Sequence, residues 1–220
     1  GGTLIVASEI AEIEGRAGDA KILLSLATQI EESWLRELFP SDFHETADPY
    51  FDKTQNRVVV RRAKMFRDLV LENRDRDAEP GPAASLCLAE QVMAGTLRLN
   101  GWDDAVEQWI HRVNFLARLC PEQGIPVMGQ DERQHILLLV CDEAVCYRDI
   151  KDAPVLHHAR SLLTHTQQQF VDKQAPERLE LPAGRRAKIT YSETADPFLS
   201  ARIQDLYGVT DDVKLALGRH

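Results

Sequence analysis

The chain has 220 residues, of which 44% are hydrophobic and 28% are charged, and its formal net charge is −9. This composition is typical of a globular protein and excludes an intrinsically disordered one. The acidic balance excludes strong affinity for nucleic acid from net charge alone, because phosphate binding depends on clustered Lys and Arg. The apolar run at residues 136–140 is far too short to span a bilayer, so no membrane partner is expected.

Residues 1–77 are predicted to form a β domain. Strands are predicted over residues 4–10, 21–26, 43–51, 57–66 and 69–71, with hairpin turns at residues 15–18 and 53–56. Ile30, Trp34 and Leu38 recur at helical spacing before Pro40, which predicts a short helix between the second and third strands. The element count fits a small five-stranded barrel of the OB kind, and a twisted antiparallel sheet with one helix fits almost as well.

Residues 78–176 are predicted to form a helical extension. The charged and Pro/Gly-rich stretch at residues 73–82 is the predicted linker. Beyond it, one apolar stripe consists of Val106, Trp109, Ile110, Val113, Leu116 and Cys120. That helix should begin with a cap at Asp103 or Asp104 and end at Pro121. Further helices are predicted over residues 83–97, 132–147 and 155–170.

Residues 177–220 are predicted to form a β-hairpin and a helix. The strands lie at residues 179–181 and 186–191, around a turn at residues 182–184. Asp196 should cap a following helix, with Pro197 in its first turn and Gly208 after its last residue. The predicted fold class is therefore α+β, with an OB-like five-stranded barrel or sheet, a helical bundle and a small hairpin/helix unit.

The four cysteines, Cys87, Cys120, Cys141 and Cys146, are predicted to be buried free thiols. No secretory signal pattern precedes them, which favours a cytoplasmic protein, and no spacing among them matches a zinc site. The sequence starts with Gly1, and residues 216–220 complete no helix or strand. We therefore expect a piece of a larger protein that is truncated at its C-terminal end.

No complete catalytic or metal site is predicted. Asp142 and Glu143 follow an apolar run, as in the acidic box of an ATPase, but the sequence has no GxxxxGK[ST] phosphate loop and the segment is predicted to be helical. His157, His158 and His165 lack a carboxylate at ligand spacing, so we interpret them as exposed or partly buried helix residues. We expect no catalytic activity from the chain itself.

Two basic clusters are the candidate binding sites. Arg57, Arg61, Arg62, Lys64 and Arg67 concentrate on one predicted strand, and Arg185, Arg186 and Lys188 lie on the later hairpin. Cations and a nearby aromatic on an OB-like face hold single-stranded nucleic acid by phosphate attraction and base stacking. The alternative is a solvated edge strand whose charges discourage aggregation, with turn-flanking charges facing water on the hairpin.

Residues 177–220 contain a characteristic motif, whose residues are Pro182, Gly184, Arg186, Tyr191, Pro197, Gln204, Leu206 and Gly208. In this motif the sequence resembles the C-terminal region of HrpB-type bacterial helicases of the DEAH/DExH class. Upstream, Trp102-Asp103, Phe115-Leu116 and residues 62–71 are similar in kind and order. The resemblance is strongest after Leu179 and vague between residues 123 and 171.

The resemblance implies a parent helicase with two RecA-like motor domains that hold ATP and Mg²⁺. Winged-helix, helical-bundle and OB-like domains and a C-terminal extension follow the motor, and residues 1–220 would supply the last two. No catalytic residue can be transferred to this chain, and no cofactor is expected in it.

The expected role is accessory: to guide single-stranded RNA or DNA beside the motor, with Arg61, Arg62, Lys64 and Arg186 touching phosphates. The alternative is a docking module that packs on the helicase core or on another protein without touching nucleic acid. Trp34, Trp102 and Trp109 are possible anchors for that role, although core packing is the preferred interpretation of all three.

Overall fold

The structure is a computed structural model that describes residues 3–14, 20–181, 184–207 and 214–219. The chain divides into two units. The first, here called the β unit, comprises residues 1–50 and 59–77, and the second, the helical unit, comprises residues 51–58 and 78–220. The three-domain division proposed from the sequence stays a prediction.

The β unit contains the predicted strands and the predicted short helix in the predicted order. The elements are β1 (Leu4–Glu14), β2 (Ala20–Ile30), α1 (Glu32–Leu38), β3 (Phe43–Asp52), β4 (Arg57–Phe66) and β5 (Leu69–Asp77). The turn at residues 53–56 is present, and the Asp52 carboxylate accepts hydrogen bonds from the backbone N–H groups of Thr54 and Gln55. The predicted turn at residues 15–18 lies outside the described residues.

A closed five-stranded barrel is not confirmed in the described part of the chain. β1 and β2 pair antiparallel with each other from Leu4 opposite Ile30 to Glu14 opposite Ala20, and β3, β4 and β5 form a separate three-stranded sheet. The pattern of apolar residues identifies strands but does not specify which edges pair, so the strand count alone suggested one sheet. The predicted linker also begins later than expected, because residues 73–77 belong to β5.

The helical unit contains six α-helices and a small sheet in the described residues. The helices are α2 (Pro82–Met93), α3 (Asp104–Leu119), α4 (Gln130–Val140), α5 (Tyr147–Ile150), α6 (Val155–Ser161) and α7 (His165–Gln174). The sheet consists of β6 (Arg178–Glu180), β7 (Arg186–Thr190) and β8 (Phe198–Leu199), paired antiparallel. None of the helices in the described ranges is long and apolar enough to cross a membrane.

The apolar stripe of α3 forms the core of the helical unit, as predicted. Val106, Trp109, Ile110, Val113 and Leu116 are all buried. Asp103 is the N-cap, and its carboxylate accepts hydrogen bonds from the N–H groups of Ala105 and Val106 at 3.0 and 3.3 Å. The capping carboxylate satisfies N–H groups that the first turn of a helix leaves without a partner.

Three helix predictions require correction. The helix predicted over residues 132–147 ends at Val140, and Glu143 adopts a positive φ of 57°. The helix predicted over residues 155–170 is two helices, because the Thr164 side chain caps a new one by accepting from Gln167 N–H. In place of the α-helix predicted after Asp196, Phe198–Leu199 form β8, which pairs with β7, and Ile203–Leu206 form a short 3-10 helix. Gly208 lies outside the described residues.

The prediction of buried cysteines is confirmed for three of the four side chains. Cys87, Cys120 and Cys141 are buried, Cys146 is half-buried, and all four are free thiols. Burial raises the pKa of the Cys141 thiol to about 12, which keeps it protonated and unreactive at neutral pH. Of the tryptophans, Trp109 is buried and Trp102 is half-buried, whereas Trp34 on α1 is half exposed rather than packed in a core.

A buried arginine joins α3 to the end of α7 and the start of β6. The guanidinium of Arg112 donates to the backbone oxygen of Ala175, to Glu177 at 2.9 Å and to Asp172 at 2.8 Å. Its side chain is only 2% exposed. Because a buried charge is costly unless it is paired, these three acceptors determine whether Arg112 can remain in the core.

We expect Arg112→Ala to lower the free energy of unfolding by about 2–4 kcal/mol, because the Ala175 carbonyl loses its donor and removal of a large buried side chain leaves a cavity. Urea denaturation followed by far-UV circular dichroism would measure the change. Arg118→Ala is the matched control, since Arg118 lies on the same helix but is exposed. An equal effect of both substitutions would contradict a special role for Arg112.

A second charged contact joins α3 to α4. The Arg133 guanidinium donates two hydrogen bonds to the Glu107 carboxylate, each at 2.8 Å, and the Trp102 indole N–H donates a third at 2.7 Å. The hydrogen bonds from Arg133, followed by that from Trp102, lower the pKa of Glu107 from 4.5 to about 2 even though burial opposes the shift. Folding therefore favours the ionised carboxylate.

This contact should weaken in acid. The Glu107 pKa is lower in the folded state than in the unfolded state, so its contribution is complete above pH 4.5 and is lost as the pH falls toward 2. We expect Glu107→Gln to remove that part of the acid destabilisation, which would flatten the stability profile between those pH values. Urea denaturation midpoints measured across this window would test it, and parallel profiles for the two proteins would contradict the assignment.

Candidate nucleic-acid interface

The pairing of β4 with β5 gathers four cations on one face of the three-stranded sheet. Val60 lies opposite Arg76, Arg62 opposite Arg74, and Lys64 opposite Glu72. Residues opposite each other in an antiparallel pair share a face, and side chains alternate between faces along each strand. We call the surface formed by Arg62, Lys64, Arg74 and Arg76 the basic face. These side chains line a cavity of about 200 Å³ together with Glu45, Ala63 and Glu72.

The basic face keeps an excess of positive charge. Glu72 forms ion pairs with Lys64, at 3.4 Å, and with Arg74. The charge of Arg74 is the main cause that lowers the pKa of Glu72, so this carboxylate is ionised at neutral pH. Arg62 and Arg76 are exposed, and neither forms an ion pair within the described ranges. Two arginines of the face are therefore available to an anion.

The opposite face of the same strands is neutralised. The Arg61 guanidinium lies 3.0 Å from the Asp75 carboxylate and 4.7 Å from the centre of the Tyr50 ring. The Tyr50 hydroxyl donates to Asp75 at 2.7 Å, a bond that raises the pKa of Tyr50. The hydrogen bonds from Arg61 and Tyr50 lower the pKa of Asp75. The structure thus places Arg61 in a local ion pair, on the face opposite Arg62 and Lys64.

The remaining cations predicted on β4 do not join the basic face. Arg67 occupies the turn between β4 and β5 with a φ of 54°, and its guanidinium pairs with Asp42 at 2.7 Å. Arg57 is half-buried at the start of β4, where it forms an isolated β-bridge with Cys146. The five cations predicted as one cluster therefore have four different environments.

The second predicted cluster is partly neutralised in the helical unit. Arg185 pairs with Asp205 at 3.2 Å, and Lys188 pairs with Asp104 at 3.5 Å. Arg186 is exposed on β7 opposite Glu180 and forms no ion pair in the part of the chain that the structure describes. This hairpin therefore offers one available cation rather than three.

Arg74 and Arg76 are binding candidates that the sequence interpretation missed. Residues 73–77 have the sequence Asn-Arg-Asp-Arg-Asp and fall within the predicted charged linker. The same five residues have a period of two, which in a strand places both arginines on one face and both aspartates on the other. The alternation of charge sign was the signal for a strand.

The acidic pair and the three histidines considered in the sequence lie on or near the surface of the helical unit. Asp142 is exposed beyond the end of α4, and Glu143 follows it in a turn. The His157 and His158 rings meet edge to face at 5.7 Å, and His165 contacts Gln169. Within those ranges, no group of three or more His, Cys, Asp or Glu residues could hold a metal ion.

The motif residues of the last hairpin have structural positions. Gly184 adopts a φ of 74°, a conformation that favours glycine, and its N–H donates to the Leu181 carbonyl. Tyr191 is buried, its hydroxyl donates to the Pro176 carbonyl at 2.9 Å, and the Gln108 side chain bonds to both its backbone groups. Pro182 lies outside the described residues.

The chain is similar in sequence to one protein family and to one curated protein. The HrpB_C family model, described as "ATP-dependent helicase C-terminal", matches residues 137–220. The ATP-dependent RNA helicase HrpB of Escherichia coli K12 is 26% identical over 217 residues, which cover 94% of this chain and 26% of that protein. The chain thus spans about a quarter of the length of this curated relative.

Two solved structures share the fold. The crystal structure of the E. coli DExH-box NTPase HrpB has a TM-score of 0.60 and 22% identity, over 98% of this chain and 27% of that one. The crystal structure of the Escherichia coli DEAH/RHA helicase HrpB has a TM-score of 0.60 and 21% identity, over 97% and 27%. The family match over residues 137–220, the curated relative and the shared fold together confirm the resemblance: this chain is similar to the C-terminal part of HrpB-type helicases.

Proposed function

We propose that this chain is a non-catalytic accessory segment of an ATP-dependent helicase, and that its basic face holds single-stranded nucleic acid beside the motor domains. The observation that carries the proposal is the exposed pair Arg62 and Arg76, which have no ion-pair partner in the described residues of an acidic protein. The helicase similarity supplies the context, since a helicase acts on nucleic acid.

The geometry of the face suits a phosphate backbone. Arg74 and Arg76 are two residues apart on β5, which separates their Cα atoms by about 6.8 Å, and Arg62 and Lys64 have the same spacing on β4. Several phosphates of one strand could therefore be contacted at once. The cavity lining contains no aromatic ring, so charge rather than stacking would provide the affinity. Such binding would be strongly dependent on salt and weakly dependent on base sequence.

The set of residues proposed to bind nucleic acid omits some of the cations predicted from the sequence and includes two others. Arg62 and Lys64 remain, and Arg74 and Arg76 join them. Arg186 on β7 is proposed as a second contact. Arg61, Arg67, Arg185 and Lys188 would serve mainly as local ion pairs, because each already has a carboxylate partner. The OB-like barrel is not required, since a three-stranded sheet presents the face.

A docking role is the second candidate, and the β1–β2 hairpin favours it. Ile10, Ile22 and Leu26 are 72%, 71% and 81% exposed. The pairing register places these three side chains on one face of the hairpin, where Val6 and Leu24 add further apolar surface. An exposed apolar face of this kind marks an interaction surface. In this alternative the hairpin packs on the motor and helical domains of the parent helicase. Nucleic acid would then not contact this chain.

Neutralising the two available arginines should weaken binding of single strands. We expect Arg62→Gln/Arg76→Gln to reduce the slope of log affinity against log salt by about 1.4, because each phosphate contact to a single strand contributes about 0.7. Fluorescence anisotropy with a labelled oligouridylate, titrated at several salt concentrations, would measure the slope.

Arg61→Gln/Arg67→Gln is the matched control, because it removes the same net charge from arginines that are already paired. It should leave the slope unchanged. Equal losses in the two double variants would show that only overall charge matters. Absence of binding by the unmodified chain at low salt would instead favour the docking role.

A further inference from the structure

A groove lies between α2 and α4 in the helical unit. It has a cavity volume of about 660 Å³ and is lined by side chains from these two helices. Leu86 of α2 and Leu138 and Leu139 of α4 supply its apolar surface. The Leu86 side chain is 43% exposed, and both α4 leucines are only half-buried. The groove therefore leaves apolar area in contact with water.

Helix α4 has apolar residues on more than one side, which explains the groove. Ile136, Leu137 and Val140 are buried against the rest of the helical unit. Leu138 and Leu139 follow in the same run of residues and face the groove instead. In the described residues α4 packs chiefly against α2 and α6. That packing covers Ile136, Leu137 and Val140 but leaves Leu138 and Leu139 only half-buried.

Carboxylates stand at both ends of this groove. Asp131 lies in the first turn of α4 and Asp142 lies just beyond its last residue, and both line the cavity. The eleven-residue separation corresponds to about 16 Å along a helix. Neither carboxylate forms an ion pair within the described ranges, and both are exposed. The groove is thus apolar along its length and negative at both ends, which repels phosphates and attracts cations.

We propose that the groove binds an amphipathic helix of a separate protein that carries basic residues at both ends. The three leucines would receive apolar side chains at i, i+3/i+4 and i+7 of that helix, the usual pattern for a helix in a groove. Asp131 and Asp142 would pair with the Lys or Arg residues that flank it. A partner helix of about 14 residues spans the groove, since each residue adds about 1.5 Å.

The surface is typical of a reversible contact with a separate protein. Gln134 and His135 interrupt its apolar residues, whereas permanent interfaces are more uniformly apolar. The proposal is independent of nucleic-acid binding, because the groove belongs to the helical unit and the basic face to the β unit.

Two designed peptides would test the groove. Both contain about 14 residues with the same Leu positions, and one has Lys at both ends while the other has Glu. We expect the Lys-ended peptide to bind the whole chain more tightly in fluorescence anisotropy. Leu86→Glu should weaken its binding by about tenfold, the loss typical of an anchoring residue. Val127→Glu is the control, because Val127 is 63% exposed in the same unit and does not line the groove.

A charge reversal makes the test specific. Asp131→Lys/Asp142→Lys should weaken the Lys-ended peptide by about fivefold at low salt and should tighten the Glu-ended one. Both residues are exposed, and circular dichroism would verify that each variant folds. Equal binding of the two peptides, or an unchanged affinity in Leu86→Glu, would overturn the proposal.

Two other occupants would also overturn it. Self-association in sedimentation velocity that Leu86→Glu abolishes would assign the groove to a second copy of this chain. The peptide could bind the chain alone but fail to bind a full-length protein that carries this chain. That result would assign the groove to another segment of the same polypeptide.

Discussion

Arg112 is the charged group on which the packing of the helical unit depends. Arg112 belongs to α3, and its side chain is buried in the core of the helical unit. Its three acceptors come from the end of α7 and the start of β6. The Ala175 carbonyl is one of the oxygens that the last turn of a helix leaves without an intrahelical partner. Arg112 thus supplies a hydrogen-bond donor to the carbonyl at the end of α7. The same contact fixes the position at which the chain leaves that helix.

The contacts around Arg112 extend this constraint. Arg160 donates to the same Asp172 carboxylate, and its guanidinium lies 4.3 Å from the centre of the Trp109 ring. Farther along α3, the Gln108 side chain bonds to both backbone groups of Tyr191, at the end of β7. A single face of α3 therefore positions α6, α7 and the last hairpin. The C-terminal residues also contact the end of α3, since the Arg219 guanidinium donates to the Leu119 carbonyl and pairs with Glu122.

Local chemistry made most of the elements predictable from the sequence. Asp103 and Pro121 bracket α3 because a capping carboxylate and a proline act within one helical turn. The start of β4 at Arg57 and its end at Phe66 followed from residue types alone. The predictions failed where a distant partner decides the structure. Phe198 and Leu199 form a strand because β7 offers a ladder, and the pairing of β1 with β2 separates five strands into two sheets.

The candidate site shows the same division. Arg62 and Lys64 were identified from β4 alone, but their partners Arg74 and Arg76 depend on the pairing register of β5. The sequence also could not reveal that Arg61, Arg67, Arg185 and Lys188 are each paired with a carboxylate, because those acceptors lie between 14 and 84 positions away. Charge clustering locates a basic segment, whereas the register determines which cations remain available.

The alternation of arginine and aspartate in β5 places positive charge on one face of the sheet and negative charge on the other. Residues 74–77 nevertheless carry no net charge. A one-residue slip of a strand exchanges its two faces. For β5, such a slip would place Asp75 and Asp77 beside Arg62 and turn the cationic surface into a mixed one. The bulge between Lys64 and Met65, next to the apolar residues Leu69 and Val70, separates the charged half of the ladder from the turn. Length changes near Arg67 could be absorbed there, whereas an insertion within residues 72–76 would replace the positive charge of the surface by a mixture of both signs while hardly changing the composition of the strand.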